Sequence, residues 1–336
     1  MKEALFFDRL KDNNVRCKLC NHLCLIHPDN RGKCGVRENK NGTLYTLVYG
    51  KVCAYNIDPI EKKPLYHFYP SSKSLSFSTK GCNFRCLHCQ NYSIAQTNKH
   101  ESFDNAIEYK PEDIVLDAIN CQCQSISYTY TEPTVFFEFA FDTAQIAKEK
   151  GIKNVFVSNG YTSDLATEQI APFLDVNNID LKGDDNFYKE ICGARLQPVL
   201  DTIKMMKERG VWVEVTTLII PSLNDSDGFL QWTANFIKSV DPNMPWHITR
   251  FHPTHKMLNL PPTPLKTLLK AREIGLNTGL NYVYTGNVVG SEGEHTYCPS
   301  CKKVVIERSG FSVGSINIKS GQCIYCGYKI AGVGLP

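Results

Sequence analysis

Three cysteines on one short segment are the residues of this chain whose spacing points most directly to chemistry. Cys82, Cys86 and Cys89 have C-x3-C-x2-C spacing. Thiolates are the usual ligands of four-iron clusters, which normally take four of them. Three thiolates leave one iron open, and an open metal position is where a reacting molecule binds. The sequence therefore predicts a catalytic [4Fe–4S] cluster, and the alternatives are a zinc half-site completed by His88 and a redox thiol pair.

A second group of cysteines lies near the end of the chain. Two C-x2-C pairs are separated by 21 residues, and their members are Cys298, Cys301, Cys323 and Cys326. Paired knuckles of this kind are typical of a closed, tetrahedral zinc ribbon, and a segment this short needs a metal to hold its fold. We expect structural zinc here, and an auxiliary iron–sulfur cluster is the alternative.

A third group precedes the catalytic loop. It consists of Cys17, Cys20, Cys24 and Cys34, with His22 and His27 nearby as further donors. Four thiolates suit either zinc or a second [4Fe–4S] cluster. The spacing alone does not separate these two metals, and we favour zinc slightly.

The remaining cysteines and the composition define the class of protein. The chain has 15 cysteines in 336 residues, and their clustering favours metal sites over a disulfide framework. We interpret Cys53, Cys121, Cys123 and Cys192 as small buried apolar residues. With 37 basic and 34 acidic residues and no basic block, nucleic acid is not indicated as a partner. Without an apolar run of membrane-spanning length or a signal peptide, we expect a cytoplasmic protein that does not contact a membrane.

The elements that must position the catalytic cysteines lie between residues 75 and 285. In this region short β-rich runs alternate with helical patterns such as Pro111 to Gln122, and Gly151 and Gly210 stand where helices should end. Such alternation predicts a parallel sheet with crossover helices. We expect strands at Leu75–Thr79, Ser125–Thr129, Asn154–Ser158, Val176–Leu181, Val211–Leu218, His247–Phe251 and Asn281–Tyr284.

Polar residues follow these strands at their carboxyl ends, where parallel α/β sheets carry their active sites. The residues are Cys82, Thr131, Glu132, Asn159, Lys182 and His252. Asp180 precedes Lys182 by two residues, so both side chains should point the same way. We expect His247, Arg250, His252 and His255 to form a histidine-rich patch at the same edge.

Several stretches resemble the radical S-adenosylmethionine (SAM) superfamily, whose signature loop is C-x3-C-x2-C. Within it, Cys86-Leu87-His88-Cys89-Gln90-Asn91 is similar to the Cys-x-Tyr-Cys-His-Asn of the glycyl-radical activating branch. A closer resemblance, to the AmmeMemoRadiSam-type enzyme, covers nearly the whole chain. It rests on Asp58-Pro59-Ile60-Glu61-Lys62-Lys63-Pro64-Leu65-Tyr66-His67-Phe68, Thr129-Tyr130-Thr131-Glu132-Pro133-Thr134, Asp180-Leu181-Lys182 and the terminal cysteine pairs.

The resemblance implies an α/β fold, a partial (β/α)6 barrel, with an N-terminal cysteine-rich module and a zinc-ribbon-like tail. We place the module and a hairpin arm at residues 1–74, the barrel at 75–290 and the tail at 291–336. The resemblance further implies that the open iron chelates SAM and that one electron cleaves SAM to a 5′-deoxyadenosyl radical. This radical would abstract hydrogen from a substrate that the sequence does not identify.

The resemblance also implies roles for single residues. His88 occupies the position of an aromatic residue near the adenine, Thr131 and Glu132 stand where the family has Gly-Gly-Glu-Pro at the SAM amino group, and Asn159 matches a ribose contact. Asp180 and Lys182 would lie near the methionine group and the substrate, and His252 on the substrate side. The alternatives are a third-shell or surface histidine at His88, a helix N-terminal acid at Glu132, a turn asparagine at Asn159, a structural Asp180–Lys182 ion pair and hydrogen-bonded scaffolding at His252.

We therefore expect a radical SAM enzyme that binds a [4Fe–4S] cluster, SAM and zinc. A narrower interpretation is an activase of a glycyl-radical enzyme, and a non-enzymatic one is an iron–sulfur and zinc module for electron transfer or docking. The expected partners are a one-electron donor of the flavodoxin or ferredoxin type and, from the resemblance, AMMECR-like and Memo-like proteins.

Overall fold

The computed structural model describes residues 1–98, 101–103, 106–288 and 290–336. The N-terminal part forms two small antiparallel sheets of three strands, in the orders β1-β6-β5 and β2-β3-β4. Their strands are β1 (Lys2–Glu3), β2 (Phe7–Arg9), β3 (Val15–Cys17), β4 (Leu25–Ile26), β5 (Arg37–Lys40) and β6 (Thr43–Thr46).

The centre of the molecule is one nine-stranded sheet. Its strands are β7 (Lys51–Pro59), β8 (Lys73–Thr79), β9 (Ile107–Glu108), β10 (Ser125–Tyr128), β11 (Lys153–Ser158), β12 (Val176–Asp180), β13 (Trp212–Ile219), β14 (Trp246–Arg250) and β15 (Val283–Gly286). Seven of them are the seven predicted strands, with bounds that differ by at most two residues. The strand β7 lies in the segment 1–74 that we had assigned to the N-terminal module.

Helices connect the parallel strands of this sheet. They are α1 (Tyr92–Ala95), α2 (Pro111–Asn120), α3 (Phe137–Glu149), α4 (Asp164–Ile170), α5 (Asp185–Phe187), α6 (Gln197–Glu208), α7 (Asp227–Val240) and α8 (Leu265–Thr278). The helix predicted from Pro111 is α2. Gly151 and Gly210 follow α3 and α6 with φ of +76° and +81°, the left-handed conformation in which glycine commonly ends a helix.

The strand order shows how the barrel is wound. It reads β15-β14-β13-β12-β11-β10-β8-β7-β9, and all pairs from β8 to β15 are parallel. Because parallel crossovers are right-handed, crossovers that all step in one direction place their helices on one face. Six β/α units therefore occupy β8 to α8, as the predicted (β/α)6 arrangement requires, and β15 adds a seventh parallel strand. Antiparallel β7 extends the sheet beyond β8.

The C-terminal tail forms a three-stranded antiparallel sheet and a two-stranded ribbon. Its strands are β16 (Thr296–Tyr297), β17 (Val304–Ser309), β18 (Ser312–Ile316), β19 (Ile318–Lys319) and β20 (Gln322–Cys323). The tail has its own apolar cluster, which includes Cys298 and Cys323 and is shared with Tyr66, Tyr282 and Tyr284 of the barrel. The fold is thus the expected α/β barrel with a ribbon-like tail.

The N-terminal cysteine module has no separate core. Val15, Cys17 and Cys34 belong to the main apolar cluster of the barrel, together with strand residues such as Leu75 and Phe77. Backbone hydrogen bonds also join the module to the barrel, from Ser163 N–H to Leu19 O and from Asn21 N–H to Tyr161 O, both at 3.1 Å. Among the described residues, no helix is long and apolar enough to cross a lipid bilayer.

Candidate functional site

The cysteine loop with Cys82, Cys86 and Cys89, which we predict to be catalytic, follows β8 at the carboxyl end of the parallel sheet. Its backbone is held by a short π-helical turn at Tyr188–Cys192, which accepts hydrogen bonds from the N–H groups of Arg85 and Leu87 at 2.9 and 3.0 Å. The loop after β14 also contacts it, through a 3.0 Å bond from Lys256 N–H to Leu87 O. Loops from three separate strands therefore fix the position of the cysteines.

Gly81 shows how closely the N-terminal module packs against this loop. Its φ is +102°, and a Cβ atom there would lie 2.5 Å from Val36 Cγ1 and 3.1 Å from the Cys34 carbonyl oxygen. Only glycine tolerates this conformation and this approach together. The residue before Cys82 is therefore in direct contact with the segment that carries Cys34.

The three thiols are chemically suited to hold a cluster. Cys82, Cys86 and Cys89 are free and half-buried, and Phe84 N–H donates to Cys82 Sγ at 3.4 Å. Burial raises the pKa of the Cys82 and Cys89 thiols above their ordinary value, so without a metal they stay protonated at neutral pH. A metal cation would supply the charge that stabilises the thiolates. The residues present thus fit a group bound through three thiolates.

Glu132 is buried at the start of the segment after β10, and its carboxylate is largely satisfied by the protein. Oε1 accepts from Thr134 N–H at 3.1 Å, the Thr134 hydroxyl at 2.6 Å and the Ser158 hydroxyl at 2.8 Å. Among the described residues, Oε2 accepts only from Asn159 N–H, at 2.7 Å. Burial raises the pKa of Glu132, and these hydrogen bonds lower it. Oε2 keeps the capacity for one further donor.

Asn159 connects this carboxylate to the cysteine loop. Its side-chain amide donates to Asn83 Oδ1 at 2.7 Å and lies 3.9 Å from Cys82 Sγ, and its Oδ1 accepts from Tyr161 N–H at 3.0 Å. The amide is therefore engaged beside Cys82, where it positions the loop. The Thr131 hydroxyl donates to Thr79 O at 2.8 Å and so connects the loop after β10 to the end of β8.

His88 is buried within the cysteine loop. It is 5% exposed and packs against Phe187 with ring centroids 5.8 Å apart. Burial and then the nearby Lys182 charge lower its pKa to about 3, so the ring is neutral at physiological pH. Its Nδ1 is one of the buried side-chain atoms that have no hydrogen-bond partner among the described residues. A surface position is thereby excluded for this histidine.

Asp180 and Lys182 point the same way, as expected from their spacing. Lys182 Nζ lies 2.7 Å from Asp180 Oδ2, and the lysine side chain is largely buried. Burial opposes the ammonium charge, but Asp180 and the neighbouring thiols of Cys86 and Cys192 raise the pKa of Lys182 well above its ordinary value. The lysine therefore carries a fixed positive charge next to Cys86.

The predicted histidine patch is not assembled at this edge. His247 is buried near the beginning of β14, where Nε2 lies 2.6 Å from Glu214 Oε2, so its placement in the patch was wrong. His252 is exposed in the loop after β14, with no side-chain hydrogen bond among the described residues. His255 stacks on Tyr92 at 4.4 Å. His252 stays a prediction that rests on its loop alone.

The structure adds residues that the sequence did not single out. Asn83 and Ser158 are hydrogen-bonded to predicted site residues, and Cys192, interpreted as a small apolar residue, has its thiol beside that of Cys86. Asn83 and Ser158 flank predicted residues in the sequence, which was a usable signal. No sequence signal pointed to Cys192, because it reaches the cysteine loop only through the turn at Tyr188–Cys192.

The C-terminal cysteines form a compact group. Cys298 and Cys326 have their sulfurs 3.6 Å apart, and those of Cys301 and Cys323 are 3.7 Å apart. All four sulfurs lie within 4.8 Å of one another, and no other group of three or more such ligands among the described residues does so. Tetrahedral zinc with bonds of about 2.3 Å requires sulfur separations of roughly 3.8 Å. The four residues could therefore hold one metal ion.

Comparisons with known proteins agree with this geometry. Residues 76–232 match the Radical SAM superfamily domain. The chain is 48% identical over 336 residues to the uncharacterized protein MJ0808 of Methanocaldococcus jannaschii, covering 98% of this chain and 99% of that protein. It is 27% identical over 168 residues to the pyruvate formate-lyase-activating enzyme of Clostridium pasteurianum, covering 48% of this chain and 68% of that enzyme.

A solved structure supports the fold. The radical SAM methyltransferase from Sphaerobacter thermophilus superposes with a TM-score of 0.52 at 15% identity, covering 68% of this chain and 71% of that one. At this identity the likeness concerns the fold alone. The family assignment rests on the domain match and the full-length relative: the chain belongs to the radical SAM superfamily.

Proposed function

We propose that this protein is a radical SAM enzyme that holds a [4Fe–4S] cluster on Cys82, Cys86 and Cys89. The observation that carries the proposal is the position of these free thiols at the carboxyl end of β8, surrounded by polar residues from the neighbouring strands. When bound, the cluster supplies one electron to the SAM sulfonium, which releases methionine and a 5′-deoxyadenosyl radical. The substrate of hydrogen abstraction is left open.

The chain's own residues supply binding and orientation. The free capacity of Glu132 Oε2 suits the ammonium group of SAM, because a carboxylate and an ammonium form a strong charge-assisted hydrogen bond. The neutral, buried ring of His88 offers an unpartnered Nδ1 to a nucleobase. Lys182 places a positive charge near Cys86, where it can orient the SAM carboxylate or a substrate anion.

The test is SAM cleavage by the anaerobically reconstituted full chain. With dithionite and SAM, the wild type should form 5′-deoxyadenosine, and Cys86→Ala/Cys89→Ala should lose at least about 100-fold, because ligand loss exceeds the effect of losing a supporting residue. The matched control Cys121→Ala/Cys123→Ala removes two cysteines outside all three groups and should keep full activity.

Two outcomes would contradict the proposal. One is a wild-type chain with a fully loaded cluster that forms no 5′-deoxyadenosine. The other is a cluster whose electron paramagnetic resonance (EPR) spectrum does not change when SAM is added. The second outcome would favour the non-enzymatic alternative, a module for electron transfer or docking.

Glycyl-radical activation is a narrower candidate, supported by similarity to a relative named as a pyruvate formate-lyase-activating enzyme. In that reaction the abstracted hydrogen comes from a glycine of a partner protein. The test is the EPR doublet of a glycyl radical on a candidate partner after incubation with the reconstituted chain and SAM. A partner that stays EPR-silent while 5′-deoxyadenosine accumulates would argue for a different substrate.

We further propose zinc as the ion of the C-terminal group, since sulfur separations of 3.6 and 3.7 Å suit tetrahedral zinc. A flavodoxin- or ferredoxin-type protein would supply the electron. The resemblance to the AmmeMemoRadiSam type motivates AMMECR-like and Memo-like proteins as partners. Zinc content per chain and co-purification with these proteins are the corresponding measurements.

A further inference from the structure

The N-terminal cysteines are not used by the proposed reaction, yet they are gathered at one place. Cys17 ends β3, Cys20 and Cys24 lie in the loop between β3 and β4, and Cys34 lies shortly before β5. All four line a single pocket, together with His22, Arg37 and Asn83. They are free cysteines, two of them buried and two half-buried.

The arrangement of these sulfurs differs from that of a single-ion site. In the C-terminal group all sulfurs lie within 4.8 Å of one another, and in the described part of the chain the N-terminal cysteines do not meet this condition. They surround a space instead. A mononuclear zinc site needs sulfurs roughly 3.8 Å apart. A polynuclear iron–sulfur core lies between its thiolates and holds their sulfurs farther apart than a single zinc ion does, so it is the better match for this spacing.

Two buried donors at this pocket also lack acceptors. Arg37 is 2% exposed, and its Nη atoms bond to Glu138 at 2.9 and 3.2 Å, but its Nε has no hydrogen-bond partner among the described residues. The Nδ2 of Asn83 is likewise without a partner there. Both side chains line the pocket. N–H groups of this kind commonly bond to the sulfurs of an iron–sulfur cluster, whose net charge is negative.

The pocket adjoins the catalytic cysteine loop. Asn83 lines the pocket and directly follows Cys82 in the chain. His22, located between Cys20 and Cys24, bonds through Nε2 to the Asn83 carbonyl oxygen at 2.7 Å. Because a carbonyl oxygen only accepts, this ring nitrogen is the donor. A short bonded path therefore runs from the N-terminal group through His22 and Asn83 to Cys82.

The opposite side of the group opens towards solvent. His22 and Cys24 also line a second, larger pocket that is open to solvent. Its other lining residues include Lys33, Arg85 and Arg31, of which Arg31 is paired with Glu38 at 3.0 Å. A basic surface next to a cysteine ligand is complementary to an acidic electron-carrier protein.

We propose that Cys17, Cys20, Cys24 and Cys34 bind a second iron–sulfur cluster that relays single electrons to the catalytic site. The inference rests on the proposed function for the destination of the electron. A low-potential protein donor of the flavodoxin or ferredoxin class loses one electron to the second cluster. That electron passes on to reduce the SAM sulfonium, so one donor is oxidised once for each SAM cleaved.

The first test is the metal content of the reconstituted full chain. The wild type should hold about eight irons and one zinc, and Cys20→Ala/Cys24→Ala about four irons and one zinc. These two cysteines are chosen because they are only half-buried, and Cys121→Ala/Cys123→Ala is the matched control. A wild type with about four irons and two zincs would overturn the proposal.

The second test separates the relay from catalysis. Dithionite is small and should reduce the catalytic site directly, so Cys20→Ala/Cys24→Ala should keep 5′-deoxyadenosine formation with dithionite. With a flavodoxin as donor, the same variant should lose at least about 10-fold relative to wild type, the lower end of the effect of removing supporting metal groups. Equal rates with flavodoxin would overturn the relay. No product from the wild type with dithionite, at full iron content, would instead reject the proposed function and leave the second cluster standing.

A third measurement remains decisive if the double variant does not fold. Cys82→Ala/Cys86→Ala/Cys89→Ala retains only the N-terminal group for iron. It should show about four irons and a reduced-state EPR signal that SAM does not alter. Absence of iron from this folded variant would overturn the assignment.

Discussion

The two terminal cysteine groups each offer four thiols, but they are built into the molecule differently. The C-terminal sulfurs lie 3.6 and 3.7 Å apart in pairs, and Cys326 is exposed. The N-terminal thiols surround a pocket, and Cys17 and Cys34 belong to the core of the barrel. The number of ligands is therefore less informative than their separation and their surroundings. One group suits an ion that holds a small fold together, and the other suits a larger group inside the protein.

A buried arginine accompanies each group, and the two arginines have different partners. Arg37 forms a bidentate ion pair with Glu138. Arg308 donates to the Thr296 hydroxyl at 2.7 Å and to Tyr66 O at 2.8 Å, and its guanidinium lies 4.2 Å from the Tyr66 ring centroid. The N-terminal group is thus stabilised by a charge pair with the barrel, and the tail by neutral oxygens and an aromatic ring.

The largest expected effect comes from removing two cysteines of the zinc site that we propose for the tail. In Cys298→Ser/Cys326→Ser, we expect the tail to lose at least about 5 kcal/mol of stability, since structural zinc contributes roughly 10–16 kcal/mol in zinc-finger peptides. Iron content should not change. Unfolding followed by near-ultraviolet circular dichroism, with zinc and iron counts, checks this, and a chelator should reproduce it on the wild type. If the free energy of unfolding of the tail did not change when zinc was lost, the C-terminal cysteine group would have no structural role, and the contrast with the N-terminal group would be wrong.

The next effect concerns the buried ion pair. Arg37→Met leaves the Glu138 carboxylate buried without its partner, so we expect a loss of roughly 3–5 kcal/mol in the free energy of unfolding. Arg37→Met/Glu138→Leu should recover a large part of it. The matched change Arg308→Met should cost less, about 1–3 kcal/mol, because its partners are neutral. Urea unfolding of the reconstituted variants measures all three, and equal costs for both arginines would contradict the comparison.

The smallest effect is a pH dependence at the contact between barrel and tail. His67 is fully buried, with Nδ1 2.6 Å from Ala331 O and Nε2 2.5 Å from the Tyr284 hydroxyl. Burial lowers its pKa to about 4, from an ordinary value near 6.5. Between pH 6.5 and pH 4, His67 is protonated in the unfolded chain but stays neutral in the folded protein. The free energy of unfolding therefore decreases as the pH falls towards 4.

The size of this effect follows from the shift. Between pH 7 and pH 5 the wild type should lose about 1–2 kcal/mol through His67. His67→Gln cannot titrate and should show a shallower decline in the same window, measured by urea unfolding at fixed pH values. Parallel pH profiles for the two proteins would show that His67 does not carry this dependence.

Much of the fold was accessible from local patterns. The alternation of β-rich and helical runs predicted all seven parallel strands, because each run reports burial over only a few residues. The rim position of Cys82, Glu132, Asn159 and Lys182 followed from topology, since parallel strands end at one edge. His247 was misplaced because its depth along β14 depends on strand register. That register brings it to Glu214 and away from the rim.

The sequence by itself determined the parallel barrel, the three-thiol loop after its first parallel strand and the ligand set of the tail, since these depend on short spacings and local periodicity. Only the tertiary structure decided that the N-terminal thiols surround a pocket beside Asn83 and that Cys192 reaches Cys86. Distances between cysteines on different segments depend on how the whole chain packs. The spacing along the sequence identifies the candidate cysteine ligands, and the packing of the chain determines the distances between their sulfurs.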